Sequence, residues 1–126
     1  MRVLSVILCF LMLGCVAGGG GSSQTAPDMI KAGEPAVIRL ELSVWGSGGT
    51  IENRYTDIKG YYKLSGEESY KIMPSKLISQ NKKSEEYEFK IPAYPQGTLG
   101  KIEYYFEMKL DGHFNSVNGI KSIDLS

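Results

Sequence analysis

From residue 35 to the C terminus, apolar and polar residues alternate with a period of two, the spacing of a strand with one wet face. The clearest run is 101–110, KIEYYFEMKL. Ile102, Tyr104, Phe106, Met108 and Leu110 fall on one side, and Lys101, Glu103, Tyr105, Glu107 and Lys109 on the other. Residues 37–44 place Ile38, Leu40, Leu42 and Val44 opposite Arg39, Glu41 and Ser43. Residues 57–64 set Ile58, Gly60, Tyr62 and Leu64 against Asp57, Lys59, Tyr61 and Lys63. Tyr87, Phe89 and Ile91 alternate with Glu88 and Lys90. Two shorter strands are predicted, one over 70–73, which Pro74 ends or pushes to an edge, and one over 120–125 with Ile123 and Leu125 inward.

Turn formers separate these runs: Ser65-Gly66, the 92–97 segment PAYPQG, Asp111-Gly112 and Asn118-Gly119. No stretch after Glu34 carries a helical stripe, and 76–84 has room for a single turn. Short strands and dense turns over about 90 residues predict one antiparallel β-sandwich. A single sheet would leave its apolar face wet, so two sheets must supply the core.

The N-terminal residues obey a different pattern. Arg2 precedes an eleven-residue run, 3–13, that is apolar apart from Ser5. About 20 residues are needed to cross a ~30 Å hydrocarbon core, so this run suits the central region of a secretory signal. It ends in Leu11-Met12-Leu13-Gly14-Cys15, which resembles the lipobox of bacterial lipoproteins, with Met12 where Leu is commoner. The resemblance implies cleavage between Gly14 and Cys15 and a diacylglyceryl thioether on Cys15, usually joined by a third acyl chain on the new amino terminus. Two or three chains anchor a protein stably where one binds only marginally. Val16, rather than Asp, follows the cysteine, which favours the outer membrane or cell surface over the inner membrane.

Residues 16–34, VAGGGGSSQTAPDMIKAGE, lack apolar periodicity. As a flexible coil they would span roughly 20–25 Å. The expected organisation is therefore a lipoprotein signal peptide over 1–14, a lipidated Cys15 with a flexible tether to residue 34, and a sandwich over 35–126, with Met29 and Ile30 assigned to the tether.

Composition narrows the function. Lys plus Arg and Asp plus Glu each number 14, so the excess of cations that nucleic-acid binding requires is absent. Both cysteines, Cys9 and Cys15, lie in the first 15 residues, leaving no disulfide or thiolate site for the body. The glycine run is not closed by Gly-Lys-Ser/Thr, so no phosphate loop is written in it. His113 is the sole histidine, with Asp111 as its near carboxylate; one imidazole and one carboxylate do not hold zinc, which takes four ligands. No nucleophile motif occurs, and Glu67-Glu68 and Glu85-Glu86 read as solvated faces. The expectation is a protein that is not an enzyme and needs no cofactor.

Three segments in order, GYYKLSGEESYKIMP (60–74), EYEFKIPAYPQG (86–97) and KIEYYFEMKLDG (101–112), resemble the bacterial immunoglobulin-like or fibronectin-type-III-like module of extracellular proteins. Lys63 stands where Arg is more usual, and the Cys…Trp…Cys framework of antibody domains is absent. The resemblance implies that strands 57–64 and 101–110 are neighbours, which would put Tyr61 and Tyr105 on one outer face. With Trp45, these residues form the candidate ligand or partner face. Outward aromatics can anchor a protein or stack on a polysaccharide, and they can equally be cross-strand pairs that support the sheet. The expected role is a non-catalytic interaction or structural module held at the membrane by its lipid; the alternative is a carbohydrate-binding accessory lipoprotein.

Overall fold

The structure, a computed structural model, describes residues 19–46 and 49–126. Gly14 and Cys15 lie outside the described residues. Nine strands follow one another: β1 (Gly19–Thr25), β2 (Met29–Ile30), β3 (Ala36–Trp45), β4 (Tyr55–Leu64), β5 (Lys71–Ile72), β6 (Ser75–Gln80), β7 (Ser84–Ile91), β8 (Gly100–Leu110) and β9 (His113–Leu125). They form two sheets packed face to face, ordered β1-β3-β7-β6 and β2-β9-β8-β4-β5. Pairing is antiparallel except for the two-residue contact of β2 with β9, which is parallel. The fold is the all-β sandwich that the alternation predicts.

The inward residues of the four long runs make the core. Ile38, Leu40, Leu42, Phe89, Ile91, Ile102 and Phe106 are fully buried. The Phe89 and Phe106 rings meet edge-on across the layers, with centroids 4.8 Å apart. Gly60 also faces inward. A Cβ there would lie 2.7 Å from Met73 Cε and 2.8 Å from Phe106 Cε1, so the strand needs a residue without a side chain at this point.

The expected tether is corrected. Residues 19–34 belong to the sandwich: β1 pairs with β3 from Gly19↔Trp45 to Thr25↔Arg39, and Ile30 and Ala32 are buried. A glycine-rich run can do this because pairing with the β3 edge satisfies its backbone polar groups without help from side chains. Its small residues also permit close approach. A Cβ on Gly20 would stand 2.4 Å from Tyr55 Oη, and one on Gly21 would stand 2.9 Å from Trp45 Cζ3.

The 76–84 stretch, given a single helical turn at most, instead holds most of the edge strand β6 (Ser75–Gln80); its side chains are almost all exposed, so no apolar alternation marks it. The strand expected at 120–125 begins earlier, at His113, directly after a tight turn in which Asp111 and Gly112 both have positive φ.

The long strands run the length of the sandwich and give it two ends. One, here the proximal end, carries the start of β1, the 49–54 segment, the β6–β7 turn and the β8–β9 turn. Ile51 N–H donates to Lys82 O at 2.8 Å, and Asp111 N–H to Arg54 O at 2.8 Å. Arg54 also makes a two-pronged ion pair with Asp111, its Nη2 standing 2.8 Å from Oδ2. The distal end carries the 26–35, 65–70 and 92–99 connections and the C terminus, where Ser126 N–H donates to Ile30 O.

Candidate functional site

The outer face of the β2-β9-β8-β4-β5 sheet gathers aromatic residues. Tyr61 on β4 lies directly across from Tyr105 on β8. Both belong to the polar side of the alternation, so both project outward. Their rings stack with centroids 5.0 Å apart and planes inclined by 23°. Tyr70, just before β5, meets Tyr105 at 4.9 Å and 86°. Ile72 pairs with Tyr61 and is exposed.

Polar contacts hold Tyr70 in place. Its hydroxyl donates to Glu103 Oε1 at 3.2 Å, and Ser65 Oγ donates to Glu103 Oε2 at 2.8 Å. Lys63 Nζ sits 5.0 Å above the Tyr70 ring and 4.0 Å from Glu103. The Ser65 bond, helped by Tyr70 and Lys63, holds the Glu103 carboxyl below its ordinary value. Burial pushes the Tyr70 and Tyr105 phenols up, with Glu103 adding to the first and Glu107 to the second.

A cleft adjoins this cluster. Between Tyr104 and Phe106 the β8–β9 register breaks, and residues 118–120 stand opposite Tyr105 alone. Gly119, with φ of 68°, lets the bulge form. The opening, about 420 Å³, is lined by Tyr70, Tyr105, Phe106, Phe114 and Ile120, with Phe114 65% and Ile120 61% exposed.

The sequence therefore locates half of this surface. Tyr61 and Tyr105 come together as expected. Trp45 does not join them: it ends β3 in the other sheet and lies over Gly21 of β1. Alternation along one strand says that a residue points outward but not which of two outer faces it reaches. Tyr70 and Ile120 escape sequence reasoning because a loop position and a bulge expose them, and Phe114, in regular register opposite Lys109, escapes because the expected last strand begins only at 120. The one available signal was Asn118-Gly119, a pair that tolerates positive φ.

The other candidates separate. His113 is exposed at the start of β9, and the Asp111 carboxylate is engaged by Arg54, which lowers its pKa. Among the described residues no group of three or more His, Cys, Asp or Glu converges. Glu67 is held below the ordinary carboxylate range, chiefly by Leu64 N–H donating to Oε1 at 2.8 Å. Glu85, expected to be solvated, turns inward with Tyr87, Phe89 and Ile91 and is 6% exposed. It accepts from Gln80 Nε2 and from Tyr87 Oη. No protein-family model and no curated protein matches the chain.

Two further tyrosines give a pH dependence. Burial first, and then the neighbouring carboxylates Glu85 and Glu67, push the Tyr87 and Tyr94 phenols up to about 12. An unfolded tyrosine ionises near 10, so the folded state keeps these protons longer. The stability this confers is complete below pH 10 and is lost as the pH climbs towards 12. The denaturation midpoint should fall across that window, and a phenolate absorbance titration should show two late groups. Joint ionisation of all eight tyrosines near 10 would contradict this assignment.

Proposed function

We propose that the protein is a lipid-anchored module of the bacterial envelope with an immunoglobulin-like sandwich, and that its outer aromatic face binds a protein partner without catalysis. The sheet orders support the immunoglobulin-like reading: β1-β3-β7-β6 corresponds to strands A-B-E-D, and β9-β8-β4 to G-F-C. The lipid anchor rests on the lipobox resemblance at Cys15.

One observation carries the binding role. Tyr61, Tyr70, Tyr105, Ile72 and Ile120 form a continuous outward patch around a cleft on a regular sheet. Tyrosine supplies large, rigid contact area with a polar tip, which suits a partly wet protein interface. The geometry favours protein over polysaccharide. Sugar stacking needs open ring faces, whereas Tyr61 and Tyr105 stack on each other and Tyr70 packs edge-on against Tyr105.

The test is a double substitution, Tyr61→Ser with Tyr105→Ser, in the full chain. An anchor worth about 2 kcal/mol corresponds to a roughly 30-fold weaker Kd for a partner recovered from envelopes. A cross-strand aromatic pair contributes only about 0.5–1.5 kcal/mol to folding, so the variant stays folded. Unchanged partner affinity would remove the aromatic face from the interface. Selective capture on a glycan array, lost in the same variant, would replace the protein-partner reading with carbohydrate recognition.

A further inference from the structure

The docking of β1 changes where the domain sits relative to its anchor. The chain enters the sandwich at Gly19, opposite Trp45, at the proximal end. Three residues, Val16 to Gly18, separate it from Cys15. Four residue steps reach at most about 14 Å, less than the width of the domain. A longer coil would leave the sandwich free to point anywhere, but this one holds the proximal end against whatever surface the anchor occupies.

That end has the chemistry of an interfacial contact. Trp45 is 58% exposed, and its indole is seated on Gly21, so it is presented rather than loose. Indole pairs an apolar body with one N–H donor and settles at the boundary between headgroups and acyl chains. Lys82 and Lys83 form the adjacent β6–β7 turn, and Lys83 Nζ is steadied at 2.7 Å from Gly49 O. Charge is divided along the long axis. Among the described loop residues, the proximal end carries Arg54, Lys82 and Lys83 against Glu52 and Asp111. The distal 26–35 and 65–70 connections carry Asp28, Glu34, Glu67 and Glu68 against Lys31. Lipid phosphates attract the first end and repel the second.

We propose that the proximal end rests on the lipid surface, with Trp45 among the headgroups and Lys82 and Lys83 facing their phosphates. This inference depends on the lipid-anchor reading of Cys15. It stands the sheets upright, so that the aromatic face looks sideways along the membrane.

Trp45 is the sole tryptophan and is therefore its own reporter. The mature acylated protein is reconstituted into vesicles of phosphatidylethanolamine and phosphatidylglycerol, with and without lipid brominated near the carbonyl end of its acyl chains. Trp45 emission should shift to the blue on reconstitution and lose intensity with the brominated lipid. A second protein, Trp45→Phe with Leu99→Trp, moves the reporter to an exposed distal site and should keep solvent-like, unquenched emission. Solvent-like Trp45 emission, a blue shift without bromine quenching, or equal quenching of the reporter at 99 would each overturn the orientation while leaving the anchor intact. Mass spectrometry showing an unacylated Cys15 would instead overturn the anchor reading on which the orientation depends.

Discussion

Replacing Phe106 by alanine is expected to remove about 3–5 kcal/mol of stability, a large share of the ~5–15 kcal/mol that holds a domain of this kind together. Phe106 is fully buried, meets the Phe89 ring at 4.8 Å and the Tyr104 ring at 6.0 Å, and lies over the bare backbone of Gly60. Removing its ring costs the lost transfer energy and leaves a cavity that two rigid sheets cannot close. For a domain of about 100 residues the melting temperature should drop on the order of 10–30 °C. The adjacent residue gives the contrast. Tyr105 points the other way on the same strand, and Tyr105→Ser should cost roughly 1 kcal/mol. Thermal unfolding of the two variants side by side measures the difference, and equal losses would mean that the faces of β8 are wrongly assigned.

Gly20→Val is the second large effect, because it separates a docked strand from a solvated tether. A Cβ at this position meets Tyr55 Oη at 2.4 Å, Leu110 Cδ2 at 3.0 Å and Ser43 O at 3.2 Å. The Tyr55 Oη proton is donated to Ser43 O at 2.9 Å, with Gly21 O also near at 3.3 Å, so the ring cannot move aside without losing this bond. Overpacking costs about 1–3 kcal/mol and a lost hydrogen bond about 1 kcal/mol, giving an expected loss of about 2–4 kcal/mol. Urea unfolding reads the loss, and hydrogen exchange should show the amides of 19–25 opening first. A silent substitution would return this segment to the status of a linker.

The strands that carry the core were legible because each buries one face, and that constraint writes alternation into β3, β4, β7 and β8. The remaining strands owe their place to other forces. β1 has no apolar side chain to mark it and is held by backbone pairing and close approach. β6 lies at an edge, so its composition reads like a loop. Ile51, almost wholly buried among loop residues, has no periodic neighbours to betray it. The aromatic site divides along the same line. Tyr61 and Tyr105 were visible as outward residues on neighbouring strands, whereas Ile120 sits at a bulge, and Phe114 on a part of β9 that carries no apolar alternation, which three-dimensional pairing alone reveals.

The direction in which β1 runs also bears on mechanical load. Its hydrogen bonds to β3 lie across the strand, and Gly19 is its first residue. Tension applied at Gly19 along the strand axis shears the whole ladder at once instead of peeling it bond by bond, and β2, pinned beside β9 at the far end, forms a second grip behind it. With the anchor proposed at Cys15, flow or crowding that drags the domain outward would load the strand in this geometry, in a segment whose glycines and serines suggest a slack cord.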